Sequence, residues 1–130
     1  MARPRSRYPT ELELAILHVL WEQGPQGGRE IRQALAPSRR LAYTSVMTML
    51  NIMTDKGHLS RAYQDGRYVY RTRIGRKATT RRMLRDLVER AFDGSAVSLM
   101  LNLLETTDVD AGELKQLRQL INRKAKEQSE

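Results

Sequence analysis

Four polar side chains, Thr44, Ser45, Thr48 and Asn51, recur in a stretch whose other positions are largely apolar. Tyr43 adjoins them, and Arg39 and Arg40 stand just ahead. A threonine offers a hydroxyl and a methyl that can meet thymine, and an asparagine amide can bond an adenine edge with both of its ends. Arginine suits phosphate or guanine. A second group follows, in which Arg61, Arg67, Arg71 and Arg73 interleave with Tyr63, Tyr68 and Tyr70. Guanidinium groups along an extended ribbon enter a minor groove or hold phosphate. The tyrosines invite a different reading. Alternation puts Tyr68 and Tyr70 on one side of a strand, so both are expected to pack on a core. Taken singly, each polar residue is what any solvated helix surface carries. Together they are the residue types that contact a polyanion bearing bases.

The charge agrees with this. The 130 residues carry a formal +8. Residues 1–77 hold 14 Lys and Arg against 6 Asp and Glu, whereas residues 78–130 hold 9 of each. The whole excess sits in the N-terminal part, which points to a polyanion partner for that part alone. A membrane surface would accept the same charge, but it usually takes a basic amphipathic helix with aromatic anchors. The single tryptophan, Trp21, lies in a pattern that reads as core.

Catalytic and metal chemistry lack their residues. With no cysteine, there is no disulfide framework, thiol nucleophile, iron–sulfur cluster or thiolate zinc site. His18 and His58 are too few for a histidine cage and read as structural. No Ser-His-Asp set, Gly-rich phosphate loop or His/carboxylate cluster can be assembled, so no enzyme, metal or cofactor is expected. Met47, Met49, Met53, Met83 and Met100 recur at helical spacing and read as core filler. No apolar run is long enough to span a bilayer. The basic residues 1–7 are not followed by the apolar stretch of a signal peptide, so a cytoplasmic protein without membrane insertion is expected.

The elements that must position the polar set can be read from periodicity. Thr10 and Glu13 form a capping box, followed by Leu12, Ile16, Val19 and Leu20 at helical spacing. Gly24-Pro25 stops this helix. A short second helix over 28–36 buries Ile31 and Leu35, and Pro37 closes it. The third, over 43–56, turns Val46, Met49, Leu50 and Met53 to a core, which leaves Thr44, Thr48, Asn51 and Asp55 opposite; Gly57 caps it. The pattern then becomes strand over 58–63 and 67–72 around Asp65-Gly66, a strong hairpin signal. Three helices and a basic hairpin are the order of a winged helix-turn-helix domain, here over 8–74. In such a domain the third helix lies in the major groove, and Arg39, Arg40, Tyr43, Thr44, Ser45, Thr48, Asn51 and Arg67 are the expected DNA contacts.

Helical period returns after Gly75. Leu84, Leu87, Val88 and Ala91 make one stripe, with Phe92 beside it. Residues 95–105 are apolar nearly all round, and a last helix begins at Asp110 with Leu114, Leu117, Leu120 and Ile121. Three short helices over 75–126 bury too little surface alone, and the middle one needs cover on most sides. A dimerisation region meets both needs, with Leu87, Phe92, Val97, Met100, Leu101, Leu104, Leu117 and Ile121 at the interface. A dimer also suits a palindromic duplex. Residues 1–7 and 127–130 read as disordered tails. The fold class expected is mainly α with a small β-hairpin.

The run Pro9-Thr10-Glu11-Leu12-Glu13, then Val19-Leu20-Trp21, Leu41-Ala42-Tyr43-Thr44-Ser45-Val46-Met47-Thr48-Met49-Leu50 and Asp55-Lys56-Gly57 resembles the penicillinase repressor family, of the BlaI/MecI/CopY type. Tyr68-Val69-Tyr70 is similar to its wing and Phe92-Asp93-Gly94-Ser95 to its helix junction, so the resemblance covers about residues 8–123. It implies a homodimeric bacterial repressor of double-stranded operators with inverted repeats, commonly built around TACA and TGTA, that silences β-lactam resistance genes and others. It also implies release by proteolysis, triggered through a membrane sensor with a zinc-metalloprotease domain. The copper-responsive branch carries a C-terminal cysteine cluster that is missing here. The β-lactam branch is cut between Asn and Phe, and the matching pair here is Asn102-Leu103. Two other functions fit the same pattern: a winged-helix regulator with a small-molecule pocket, and a protein-interaction module whose charge is incidental.

Overall fold

The computed structural model describes residues 9–129; the basic segment 1–7 and the last residue lie outside them. Helix α1 (Glu11–Gln23) begins at the capping box. Thr10 Oγ1 accepts from the Glu13 backbone N–H at 3.2 Å, and Glu13 Oε1 accepts from the Thr10 N–H at 3.1 Å. Ile16, Leu17, Val19 and Leu20 then face inward. Gly24, at φ +80°, ends the helix in a conformation that favours glycine. Helix α2 (Gly28–Leu35) buries Ile31 and Leu35, and α3 (Tyr43–Asp55) buries Val46, Leu50 and Met53 completely. The end of α3 is a Schellman cap. Gly57 takes φ +84°, its N–H donates to Thr54 O at 3.0 Å, and the His58 N–H donates to Met53 O at 2.9 Å.

Strands β2 (Leu59–Gln64) and β3 (Arg67–Thr72) pair antiparallel from Leu59↔Thr72 to Gln64↔Arg67. Asp65 and Gly66 both have positive φ (51° and 81°), as a two-residue type I′ turn requires. The fold is the mainly α, winged helix-turn-helix architecture that the pattern predicts, with one strand more. Residues Gln26–Gly27 form β1, which pairs with β3 through Gln26↔Tyr70 and Gly27↔Val69 and makes a three-stranded sheet of order β1-β3-β2. Two residues after a Gly-Pro stop carry no alternation, so periodicity could not reveal them. The two tyrosines also part company. Tyr70 is fully buried, whereas Tyr68 is 44% exposed. Both lie on one side of β3, but Tyr68 pairs with Tyr63 next to the turn, beyond the reach of the core.

The chain divides into two compact units inside α4 (Arg76–Ala91), one ending at Leu84 and the other starting at Arg85, whereas the return of helical period places the boundary between residues 74 and 75. In the first unit, the buried side chains of α1, α2, α3, β2 and β3 form one core, and Trp21 Nε1 donates to Ile74 O at 3.0 Å. In the second, α5 (Ala96–Thr106) starts at a Ser95 cap and α6 (Ala111–Gln128) at a second capping box, Asp110 with Glu113. The tail expected from residue 127 is instead helical to Gln128, since the Lys, Ala, Glu and Gln that precede it are good helix formers. Within the second unit, the described residues bury Leu99 alone of α5.

One buried polar contact ties the first unit together. The carboxylate of Glu13, 1% exposed, accepts from Lys56 Nζ at 2.9 and 3.0 Å, so the start of α1 is joined to the end of α3. Burial by itself would raise the carboxyl's pKa, but Lys56 and the Thr10 donors outweigh it and hold the group below its ordinary value. A depressed folded pKa stabilises the fold above the unfolded value, and that contribution is lost as pH falls through the folded one. Lys56→Met strands a buried carboxylate, at a cost of about 3 kcal/mol or more at pH 7. In denaturant titrations the gap from wild type should narrow as pH falls, starting above the ordinary carboxyl range, because without Lys56 burial raises the Glu13 pKa and the variant protonates it first. Equal stability at pH 7 would contradict the pairing.

Candidate nucleic-acid interface

The face that α3 buries determines the face it offers. With Val46, Leu50 and Met53 at zero exposure, Thr44, Ser45, Thr48, Asn51 and Asp55 are exposed, and Tyr43 is 42% exposed. The β-branched and aromatic residues of the first turns are mediocre helix formers, so packing rather than propensity holds α3 in place. Its N-cap, Ala42, contributes no side-chain hydrogen bond. The first-turn N–H groups therefore face outward uncapped, where the helix dipole favours an anion.

The connection between α2 and α3 is braced. Ser38 and Arg39 N–H groups donate to Leu35 O at 3.1 and 2.7 Å, and Arg32 Nε donates to Leu41 O at 2.9 Å. Arg39 Nη2 donates to Glu11 Oε1 at 2.9 Å, which turns this residue toward α1. Arg40 is exposed and forms no ion pair among the described residues. On α3 itself the Thr48 hydroxyl donates to Thr44 O at 2.9 Å, leaving its lone pairs and methyl for an outside partner.

Two contacts join this surface to the sheet. Arg61 Nη1 donates to Asn51 Oδ1 at 3.2 Å, and its guanidinium sits 4.6 Å from the centre of the Tyr68 ring. Arg67 pairs with Glu30 in the first turn of α2. Gly27 makes room for this, since a Cβ there would lie 2.7 Å from Glu30 Oε2 and 3.0 Å from Arg67 Nη1. Tyr43 and Arg67, expected as separate contacts, line one cavity of about 510 Å³ together with Glu30, Met47, Tyr63, Tyr68 and Tyr70. The sequence pattern assigned no role to Glu30, Arg32 or the Glu13–Lys56 pair, and it read Arg61 as a wing arginine for groove or phosphate without its contacts to Asn51 and Tyr68. Only the adjacent Gly27-Gly28 signalled that something approaches closely there.

The second unit is different in character. Leu87, Val97, Met100, Leu101, Leu104, Leu117 and Ile121 are 40% to 61% exposed, and Phe92 is half-buried. Asn102 and Leu103 lie within α5, both exposed; Asn102 Nδ2 donates to Ser98 O at 2.8 Å. Among the described residues no three His, Asp or Glu side chains gather as metal ligands, and no helix is long and apolar enough to cross a membrane.

Residues 9–123 match the family described as penicillinase repressor. The chain is 30% identical to the transcriptional regulator BlaI of Mycobacterium tuberculosis over 102 residues, covering 77% of this chain and 74% of that one. It is 24% identical to the penicillinase repressor of Bacillus licheniformis over 113 residues (86% and 88%). It is 19% identical to the methicillin resistance regulatory protein MecI of Mammaliicoccus sciuri over 112 residues (86% and 91%).

The Glu30–Arg67 pair can be tested without any ligand. The Arg67 guanidinium, more than the neighbouring backbone donors, holds the Glu30 carboxyl below its ordinary pKa. Arg67→Ala should raise that pKa toward the ordinary value in an NMR titration. Because the pair is partly exposed, stability should change by less than about 1 kcal/mol. An unaltered Glu30 titration would show that the pair does not form in solution.

Proposed function

This chain belongs to the penicillinase repressor family, and from that premise we propose that it is a DNA-binding transcriptional repressor acting as a homodimer on an inverted-repeat operator. One observation carries the DNA contact. The exposed Thr44, Ser45 and Thr48 occupy the first half of a helix whose opposite side buries Val46, Leu50 and Met53 fully and Met49 in part, with Arg40 ahead and a basic ribbon beside it. A helix held this way can enter a major groove about 12 Å wide without unfolding anything behind it. Arg40 and the uncapped first turn suit phosphate, Tyr43, Thr44, Ser45, Thr48 and Asn51 suit base edges, and Arg39 and Arg67 stand at the margins.

The homodimer reading is supported by what a single chain leaves uncovered. Leu87, Val97, Met100, Leu101, Leu104, Leu117 and Ile121 keep apolar surface in water, at about 25 cal/mol per Å². Phe92, half-buried, lies at the α4–α5 junction beside them. A twofold partner would cover these side chains and set two copies of α3 about one helical turn of DNA apart. Release by proteolysis belongs to the same proposal. A membrane sensor with a metalloprotease domain would cut Asn102–Leu103 and part Val97, Met100 and Leu101 from Leu104, Leu117 and Ile121. In the associated state such a cut requires local opening of α5. Control of β-lactam-resistance-type genes, in the cytoplasm, completes the reading.

Footprinting with the full chain on DNA flanking its own gene tests the reading; protection of a short palindrome supports it, and uniform protection or none refutes it. Leu101→Asp would bury an unpaired carboxylate at the twofold contact and weaken self-association by about 3 kcal/mol or more. Sedimentation at micromolar concentration should show a wild-type dimer and a variant monomer, with operator affinity falling steeply in the variant. A wild-type monomer under those conditions would contradict the dimer.

A further inference from the structure

Asn51 arrives at the exposed face of α3 with its amide already oriented. An arginine has five N–H donors and no acceptor, so the end of the Asn51 amide that faces Arg61 at 3.2 Å must be the oxygen. Arg61 is itself held from the sheet. Its guanidinium lies 4.6 Å from the centre of the Tyr68 ring, and Tyr68 is braced edge-on by Tyr63, its cross-strand partner, at 5.2 Å. Arg61 forms no ion pair with a carboxylate among the described residues, so Asn51 and the Tyr68 face are what place it. The chain Tyr63, Tyr68, Arg61, Asn51 thus runs from the wing to the helix that the proposed function puts in the groove.

Resting on that DNA-binding reading, we propose that Arg61 is a positioning residue that sets the base preference of Asn51. An asparagine that reads adenine accepts from the N6 amino group through Oδ1 while it donates to N7 through Nδ2. Here one of the two lone pairs of Oδ1 is already engaged by Arg61 Nη1, and the positive charge of the guanidinium stands beside that oxygen. An amino group brought to that oxygen would meet groups of its own polarity. Nδ2 has no hydrogen-bond partner among the described residues and can donate. Asn51 and Arg61 together therefore present mainly donors and a positive charge, which matches a base edge made of acceptors, guanine O6 and N7 or thymine O4, and disfavours adenine and cytosine, whose amino groups project there.

The experiment is selection of duplexes from a randomised pool by the full chain, run in parallel with Asn51→Ala, Arg61→Ala and Tyr68→Leu. All three side chains are exposed, so none of the variants threatens the core. Wild type should select guanine or thymine at the base pair whose preference Asn51→Ala relaxes. Arg61→Ala should shift the preference at that same pair toward adenine by about fivefold or more, and Tyr68→Leu should shift it in the same direction by less. Three results would overturn the proposal: adenine selected there by wild type, no pair relaxed by Asn51→Ala, or an Arg61→Ala protein that binds every sequence more weakly with preferences intact. The last would make Arg61 a phosphate contact. A wild-type protein that enriches no sequence at all would instead defeat the DNA-binding reading, and this inference with it.

Discussion

The complete burial of Val46, Leu50 and Met53 sets the rotation of α3, and what the interface can offer depends on that rotation. An α-helix turns 100° per residue, so a stripe three or four residues apart that is held without freedom leaves the opposite stripe exposed with equal definition. Polar side chains at 44, 45, 48 and 51 gain their arrangement chiefly from this burial, to which Thr48 adds one hydroxyl bond to Thr44 O. The longitudinal position of α3 is set at both ends. Arg32 holds the backbone just before it at Leu41, and Lys56 just after it is locked onto Glu13. The Schellman cap at Gly57 then turns the chain into the sheet, which places Arg61 within reach of Asn51.

The Glu13–Lys56 pair has a cost as well as a use. A buried ion pair loses the hydration of both charges and regains it only through geometry, so it is weak evidence of stability for its own sake. Here Glu13 is satisfied from three directions, by the Thr10 N–H and both sides of one ammonium contact, while its own N–H is capped by Thr10. Removing either charge strands the other. What the pair adds is a defined register between α1 and α3 that apolar packing, being non-directional, supplies less sharply. The second unit is governed by the opposite principle. Helices α5 and α6 are capped and regular, but among the described residues many side chains of their apolar stripes stay exposed.

Much of this was legible in the sequence, for identifiable reasons. Helix α3 could be placed because a 3.6-residue stripe of Val46, Met49, Leu50 and Met53 has one interpretation, and Gly57 marks its end. The hairpin could be placed because Asp65-Gly66 can adopt the two positive φ angles that its turn demands. The capping box at Thr10 was visible, but its glutamate has a second partner 43 residues away, and no local pattern announces a contact at that distance. Strand β1 was too short to show alternation. Tyr68 and Tyr70 were separated by their distance from the core along one strand, a property of tertiary position that alternation does not carry. Glu30 and Arg32 were unassigned, and Arg61 was read as a wing arginine without its contact to Asn51, because an arginine or glutamate on a polar surface has many possible partners and the sequence does not choose among them.

In the proposed complex the Thr44–Thr48 side of α3 faces the floor of a groove, in two copies related by a twofold axis. The absence of cysteine from the chain allows a direct measurement. Thr48→Cys places a single thiol on that side, to which an iron chelate can be tethered, and oxidative cleavage of a bound duplex then reports where residue 48 lies. The account predicts two clusters of strand scission, each within a major groove of one half-site, separated by about one helical turn or a multiple of it. Scission spread along the duplex, or confined to a minor groove, would contradict it.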